Sequence, residues 1–214
     1  MQPIFDTLFP HVQKYLNKAY GKSYILMYEN LTRLATILYL KNQEKLSVSY
    51  VSNEEQIGFP WMYYLFSFCY NNFSENRNIY PDFESFIPED ILFMKGIARQ
   101  IEEILSEYEN KFPRVVSIFP MNGSTVSSQI KEVRITFNVP MYSIAFDSLK
   151  FNSENRKNFT QRSGEFSFSP NRKTVTIPVD LKENTQYGCT LLKFFDSMEN
   201  FRMKEEYEWK FDTK

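Results

Sequence analysis

Apolar residues recur at three- and four-residue steps through the first half of the chain. Tyr24, Met27, Tyr28, Leu31, Leu34, Ala35 and Leu38 fall on one face at a 3.6-residue period. That spacing predicts an amphipathic helix over 23–41, with Gly21 as the break before it, and an earlier helix over 4–19. Asn53-Glu54-Glu55-Gln56 reads as a cap and an acidic first turn, opening a helix that runs to Asn72 with Pro60 near its start. Pro88 reads as the first residue of a further helix, whose stripe is Ile91, Met94, Ile97, Ala98, Ile101, Leu105 and Tyr108. The stretch 70–86 has no period and reads as a connection or a lid.

From residue 113 onward the period changes to two. Val115-Val-Ser-Ile-Phe119, Glu132-Val-Arg-Ile-Thr-Phe137, Glu165-Phe-Ser-Phe168, Thr174-Val-Thr-Ile177, Tyr187-Gly-Cys-Thr-Leu191 and Glu206-Tyr-Glu-Trp-Lys-Phe211 are short alternating runs separated by turn residues. Such spacing predicts a β-sandwich of about seven strands. The boundary is placed at Lys111-Phe-Pro-Arg114, because proline stops a helix and a strand follows at once. The fold class is therefore α+β in two domains: an all-α helical domain over 1–111 and an all-β sandwich over 112–214. A link this short brings the two halves together, with Phe112 and Trp61 as the side chains expected at an interface.

Composition narrows the chemistry. The chain has 214 residues with 25 Lys+Arg and 26 Asp+Glu, one His, two Cys and six Gly. A near-neutral balance argues against nucleic acid as a partner, which calls for a basic face. Charge is uneven nonetheless: residues 1–111 hold 10 basic and 14 acidic side chains, and the remainder 15 and 12. One His and two Cys do not complete a closed zinc site, which takes about four ligands. His11 reads as an exposed or helix-start residue without a ligand role, and Cys69 and Cys189 fall in different domains. No run of about 20 apolar residues is present, so no transmembrane segment is expected. Met1 to Asp6 has neither the basic start nor the small-residue cleavage site of a signal peptide. Carboxylates at Glu54, Glu55, Asp82 and Glu84 stand where helix starts and loops ordinarily carry acid.

The second half carries a family resemblance. Val116-Ser-Ile-Phe-Pro-Met-Asn-Gly-Ser124 followed by Val133-Arg-Ile-Thr-Phe-Asn-Val-Pro-Met141 resembles the opening of a bacterial Ig-like domain. Leu181-Lys-Glu-Asn-Thr-Gln-Tyr187 resembles that family's tyrosine corner, and Trp209-Lys-Phe-Asp-Thr213 its closing strand. The turn at Asp196 to Asn200 departs from the pattern, because Glu199 stands where the family has glycine. The resemblance implies an Ig-like sandwich of the kind found in S-layer and other bacterial surface proteins. Such modules act as spacers, docking surfaces or supports, and an envelope or secreted location is implied.

A second resemblance concerns the helical half. Tyr28-Glu-Asn-Leu-Thr-Arg33, on a helix preceded by another helix, resembles the region downstream of the metal motif in bacterial glutamate-type zinc peptidases. It implies Glu29 as a third zinc ligand and Arg33 as its neighbouring support. His-Glu-x-x-His is missing from the chain. Zinc would then depend on histidines upstream of Met1, and no catalytic residue or cofactor belongs to these 214 residues themselves. The expected function is thus an inactive C-terminal portion or truncated relative of such a peptidase, with an Ig-like support. The alternative is a complete non-catalytic envelope protein acting through its surfaces. The expected partner is a protein or a cell-envelope polymer, and the expected state a monomer or weak oligomer.

Overall fold

A computed structural model describes residues 1–16, 20–143, 149–150, 163–191, 193 and 195–214. Helices fill the first half and strands the second, in two compact units, Met1–Glu109 and Asn110–Lys214. Among the described residues the helices are α1 (Gln2–Val12), α2 (Ser23–Asn42), α3 (Val48–Gln56), α4 (Met62–Asn72), α5 (Phe83–Arg99) and α6 (Ile101–Lys111). None of them is long and apolar enough to cross a membrane.

Helix α2 forms where its periodicity predicts, and Leu26, Leu34, Ile37 and Leu38 are its buried stripe. Three other boundaries differ from expectation. The predicted helix opening at Asn53 is instead the last half of α3, which ends at Gln56. Gly58 then adopts a left-handed φ of 115°, and Pro60 follows, so the chain must turn before α4 can start. Pro88 does not start its helix. Asp82 does, by accepting a hydrogen bond from the Ser85 backbone N–H at 2.8 Å, which also holds the Asp82 carboxyl below its usual range. Pro88 lies inside α5, where it removes one helical donor. The predicted continuous stripe to residue 111 is broken at Gln100, which ends α5 and accepts from the Ile104 N–H at 3.0 Å to open α6. No proline or glycine marks that break. The earliest helix stops at Val12 rather than continuing to 19, and residues 17–19 lie outside the described ones.

Aromatic side chains build the helical core. Phe5, Phe59, Trp61 and Phe86 are fully buried. Trp61 meets Phe5 and Phe59 edge-on, at centroid distances of 6.4 and 6.3 Å. Its indole N–H donates to the side-chain oxygen of buried Asn30 at 2.7 Å, so its polar atom is satisfied in the interior.

The second unit is a sandwich. Its strands are β1 (Val115–Phe119), β2 (Thr125–Val126), β3 (Glu132–Phe137), β4 (Met141–Ser143), β5 (Leu149–Lys150), β6 (Ser167–Phe168), β7 (Thr174–Pro178), β8 (Gln186–Leu191), β9 (Asp196–Ser197) and β10 (Tyr207–Thr213). One sheet has the order β1-β3-β7-β6 and the other β2-β10-β8-β5, with β4-β9 as a separate pair. Every pairing is antiparallel except that of β2 with β10. Val133, Ile135 and Phe137 point inward, as the alternation predicts, and join Val175, Ile177, Tyr187, Trp209 and Phe211 in one core. The tyrosine corner forms: the Tyr187 hydroxyl accepts from the Lys182 backbone N–H at 2.8 Å. Gly123 takes the left-handed position (φ 76°) in the turn after Pro120. Asn200 takes one too (φ 62°) beside Glu199, so the turn that lacks the family's glycine still closes.

One buried group opposes the stability of the helical unit. Asp90 on α5 has no exposed surface, and neither carboxylate oxygen has a hydrogen-bond partner. Burial pushes its carboxyl from 3.8 up to about 6, against a weak opposing pull from the N-terminal ammonium. The folded state therefore binds this proton more tightly than the unfolded chain. Stability from this group is present below about pH 4 and is lost as the pH rises through about 6, by roughly 3 kcal/mol. Asp90→Asn should match the wild type in urea unfolding near pH 4 and exceed it above pH 6.5 by up to about 3 kcal/mol. A constant difference across that range would show that Asp90 does not carry the dependence.

Candidate functional site

Arg33 is the most connected polar side chain on α2. Its guanidinium donates to the Glu54 carboxylate on α3, to the Tyr20 hydroxyl at 2.9 Å, and lies 3.2 Å from Glu29 one helical turn back. Its Cζ sits 4.9 Å from the Phe59 ring centroid. Burial acts to lower its pKa, yet the hydrogen bond and charge of Glu54, with Tyr20, outweigh that and hold it above its ordinary value.

This arrangement places the residues singled out by the peptidase resemblance. Glu29 and Arg33 do meet, and Arg33 joins Glu29 to Glu54 and Tyr20. His11 lies elsewhere, in the last turn of α1 rather than at a helix start, with Nδ1 2.7 Å from a Glu102 carboxylate oxygen. Among the described residues no three His, Cys, Asp or Glu side chains are grouped so as to hold a metal ion. Cys69 is a free, buried thiol, and burial and the charge of Asp90 push its pKa up. Trp61, named as an interface candidate, is fully buried in the helical unit against Phe5, Phe59 and Asn30. Phe112 is buried within the second unit, edge-on to Phe201 at 5.1 Å with the Lys204 ammonium 3.9 Å from its centroid. Asn138 beside it donates to the carbonyls of Asn110 and Phe112, each at 3.1 Å, and accepts from the Arg114 N–H.

A different region has the shape of a binding site. A cleft of about 540 Å³ opens between α4, α5 and α6, within the range of ligand clefts, ~300–1,000 Å³. Buried Ile97 and Ile104 with half-buried Phe93 form its floor, and Leu92 stands at its rim, 61% exposed. The Phe93 ring is fixed by stacking on Phe68 at 4.2 Å and 8°. Glu103 and Glu107, one turn apart on α6, line the opposite wall. The Tyr64 hydroxyl donates to Glu107. That hydrogen bond, then burial, then the charges of Glu107, Glu55 and Glu103 push the Tyr64 phenol up to about 12. The cleft is thus apolar below and negative along one wall.

Sequence reasoning did not find this cleft. Its residues come from three helices, and the signal in the sequence was slight: a glycine, Gly96, in the last turn of an otherwise well-formed helix. A Cβ added there would meet nothing within 4 Å, so no internal contact requires glycine. Gly96→Ala should raise stability by up to about 1 kcal/mol in urea unfolding; a loss would mean that the position is sterically closed. At the Arg33 node, Arg33→Met should cost about 3–5 kcal/mol, because it strands the buried Glu54. Glu29→Gln, with a half-exposed ion pair, should cost under about 0.5 kcal/mol. Equal losses for the two would place Glu29, not Glu54, at the centre of the node.

Residues 109–213 match the family model of the bacterial Ig-like domain. No match was found among curated proteins. Among solved structures, the chain is similar to native alpha-2-macroglobulin from E. coli, 14% identical over 49% of this chain and 6% of that one, with a TM-score of 0.34. It is also similar to a part of the Escherichia coli protein spanning domains MG0-NIE-MG1, 16% identical over 49% and 32% of the two chains, TM-score 0.34. A third is the S-layer protein SbsC, 13% identical over 99% of this chain and 31% of that one, TM-score 0.33. The chain spans less than a third of the length of each of these structures. The strand-rich region is a sandwich that matches the bacterial Ig-like domain over residues 109–213, and a helical region precedes it.

Proposed function

We propose that this protein is a non-catalytic module of the bacterial cell envelope. Its Ig-like sandwich serves as a support or spacer, and its helical unit binds a partner through its surface. The observation that carries the envelope assignment is the match of residues 109–213 to the bacterial Ig-like family. The cleft beside Phe93 supports a binding role for the helical unit, since apolar floors with a few polar groups at the wall are what binding sites ordinarily present.

The zinc-peptidase reading gives this chain a single metal ligand, Glu29. The pairing of Glu29 with Arg33 gives that carboxylate a sufficient structural use. We propose accordingly that the chain by itself takes up no zinc.

The purified full chain, immobilised, should retain components of a bacterial envelope extract that a soluble-fraction extract does not supply. Calorimetric titration with zinc should give no stoichiometric heat. Zinc-dependent proteolysis of a casein substrate by the chain would overturn the proposal, and so would equal retention from both extracts.

A further inference from the structure

We infer that the cleft between α4, α5 and α6 is a docking groove for a short, basic, amphipathic peptide segment of a protein partner. The inference rests on the surface-binding reading above and names the chemistry of what binds.

Three observations point to that occupant. The first is the floor. Phe93, Ile97 and Ile104 offer apolar surface that is already shaped, because the Phe93 ring is stacked on Phe68 rather than free to swing in. An ion or a purely polar chain would gain nothing from that floor, whereas leucine-like side chains would. The second is Gly96. A helix loses stability by carrying glycine, and here nothing within the chain occupies the space a side chain would fill. The vacancy widens the groove where a partner's side chain would enter.

The third is charge. Glu103 and Glu107 lie one turn apart on the same wall, and no Lys or Arg forms an ion pair with either among the described residues. The Tyr64 phenol, raised first by its hydrogen bond to Glu107 and then by burial, is raised further by the charges of Glu107, Glu55 and Glu103. The whole first half is acidic, with 14 Asp+Glu against 10 Lys+Arg in residues 1–111. This complementarity selects a segment with lysine or arginine beside its apolar face and disfavours an acidic one. The arms of the groove, Leu92 to Gln100 and Gln100 to Glu107, are about 12 and 10 Å long at the helical rise. They accommodate about two helical turns of a partner.

The test uses the full chain and a labelled synthetic peptide with leucines on one helical face and lysines beside them. Two control peptides replace every lysine by glutamate or every leucine by glycine. By fluorescence anisotropy at low salt, the leucine–lysine peptide should bind at least about tenfold more tightly than either control. Gly96→Leu fills the groove without changing charge, and the double variant Glu103→Lys/Glu107→Lys inverts its wall. Each should weaken binding about tenfold with the helical circular dichroism intact. Equal binding by wild type and both variants overturns the inference, as does binding that survives removal of the leucines. Self-association of the free chain that is lost on Glu103→Lys would assign the groove to a second copy, and overturns it too. Envelope retention separates this inference from the reading it rests on. A Gly96→Leu chain that is retained as well as wild type sinks the groove alone, while a wild-type chain that is not retained sinks the surface-binding reading.

Discussion

The helical unit depends on one charged side chain placed where water cannot solvate it fully. Arg33 joins α2 to α3 through Glu54, reaches Tyr20 before α2, and lies against Phe59 in the turn after α3. A guanidinium is suited to this because its donors lie in a plane and its faces stack on rings. Once Arg33 fixes the turn at Gly58 to Pro60, Trp61 follows into the core and donates to Asn30 on α2. Helix α4 then starts with Met62 and Leu65 facing inward and Tyr63 and Tyr64 facing outward or to the cleft. Glu29, at the edge of this node, is a contributor to it rather than its centre.

The sandwich uses neutral hydrogen bonds to the same end. The Tyr187 hydroxyl fixes the chain at Lys182, the Trp209 indole N–H donates to the Pro120 carbonyl at 2.9 Å, and Asn138 satisfies carbonyls that the end of α6 leaves open. Tyr187 reaches back five residues, whereas Asn138 and Trp209 reach backbone groups 26 or more positions away. The two inner faces need such pins because apolar packing is not directional. The helical unit differs, since it keeps an unpaired buried carboxylate in Asp90 and an open, acid-walled cleft. Features that lower stability without an internal use are where function is sought.

The period of the sequence was enough to tell helix from strand. Val133, Ile135 and Phe137 alternate in the sequence and point inward in β3, and the α2 stripe is buried as its spacing implies. The resemblance of residues 113–214 to an Ig-like domain held through the tyrosine corner, and Asn200 met the need for a left-handed residue where glycine was missing. Helix starts were less legible. Pro88 and Asn53 both resemble helix openings, but Asp82 formed the real cap of α5 and Gly58 with Pro60 the real stop after α3. Local signals compete there, and tertiary packing selects among them.

The cleft and the Arg33 node were beyond the sequence for a different reason. Periodicity reports which face of an element is apolar, not which other element that face meets. Glu54 looked like a first-turn acid and became the buried partner of an arginine 21 positions earlier. Trp61 belongs to an aromatic run whose spacing allows either core or interface, and it is fully buried. The unmarked break at Gln100 set α6 against α5 at the bend where the cleft opens. The sequence by itself determined fold class, domain order and the inward face of each regular element, because those follow from local period and turn chemistry. Tertiary structure alone decided which charges were buried together and where a groove was left, because both depend on residues that only packing brings within reach.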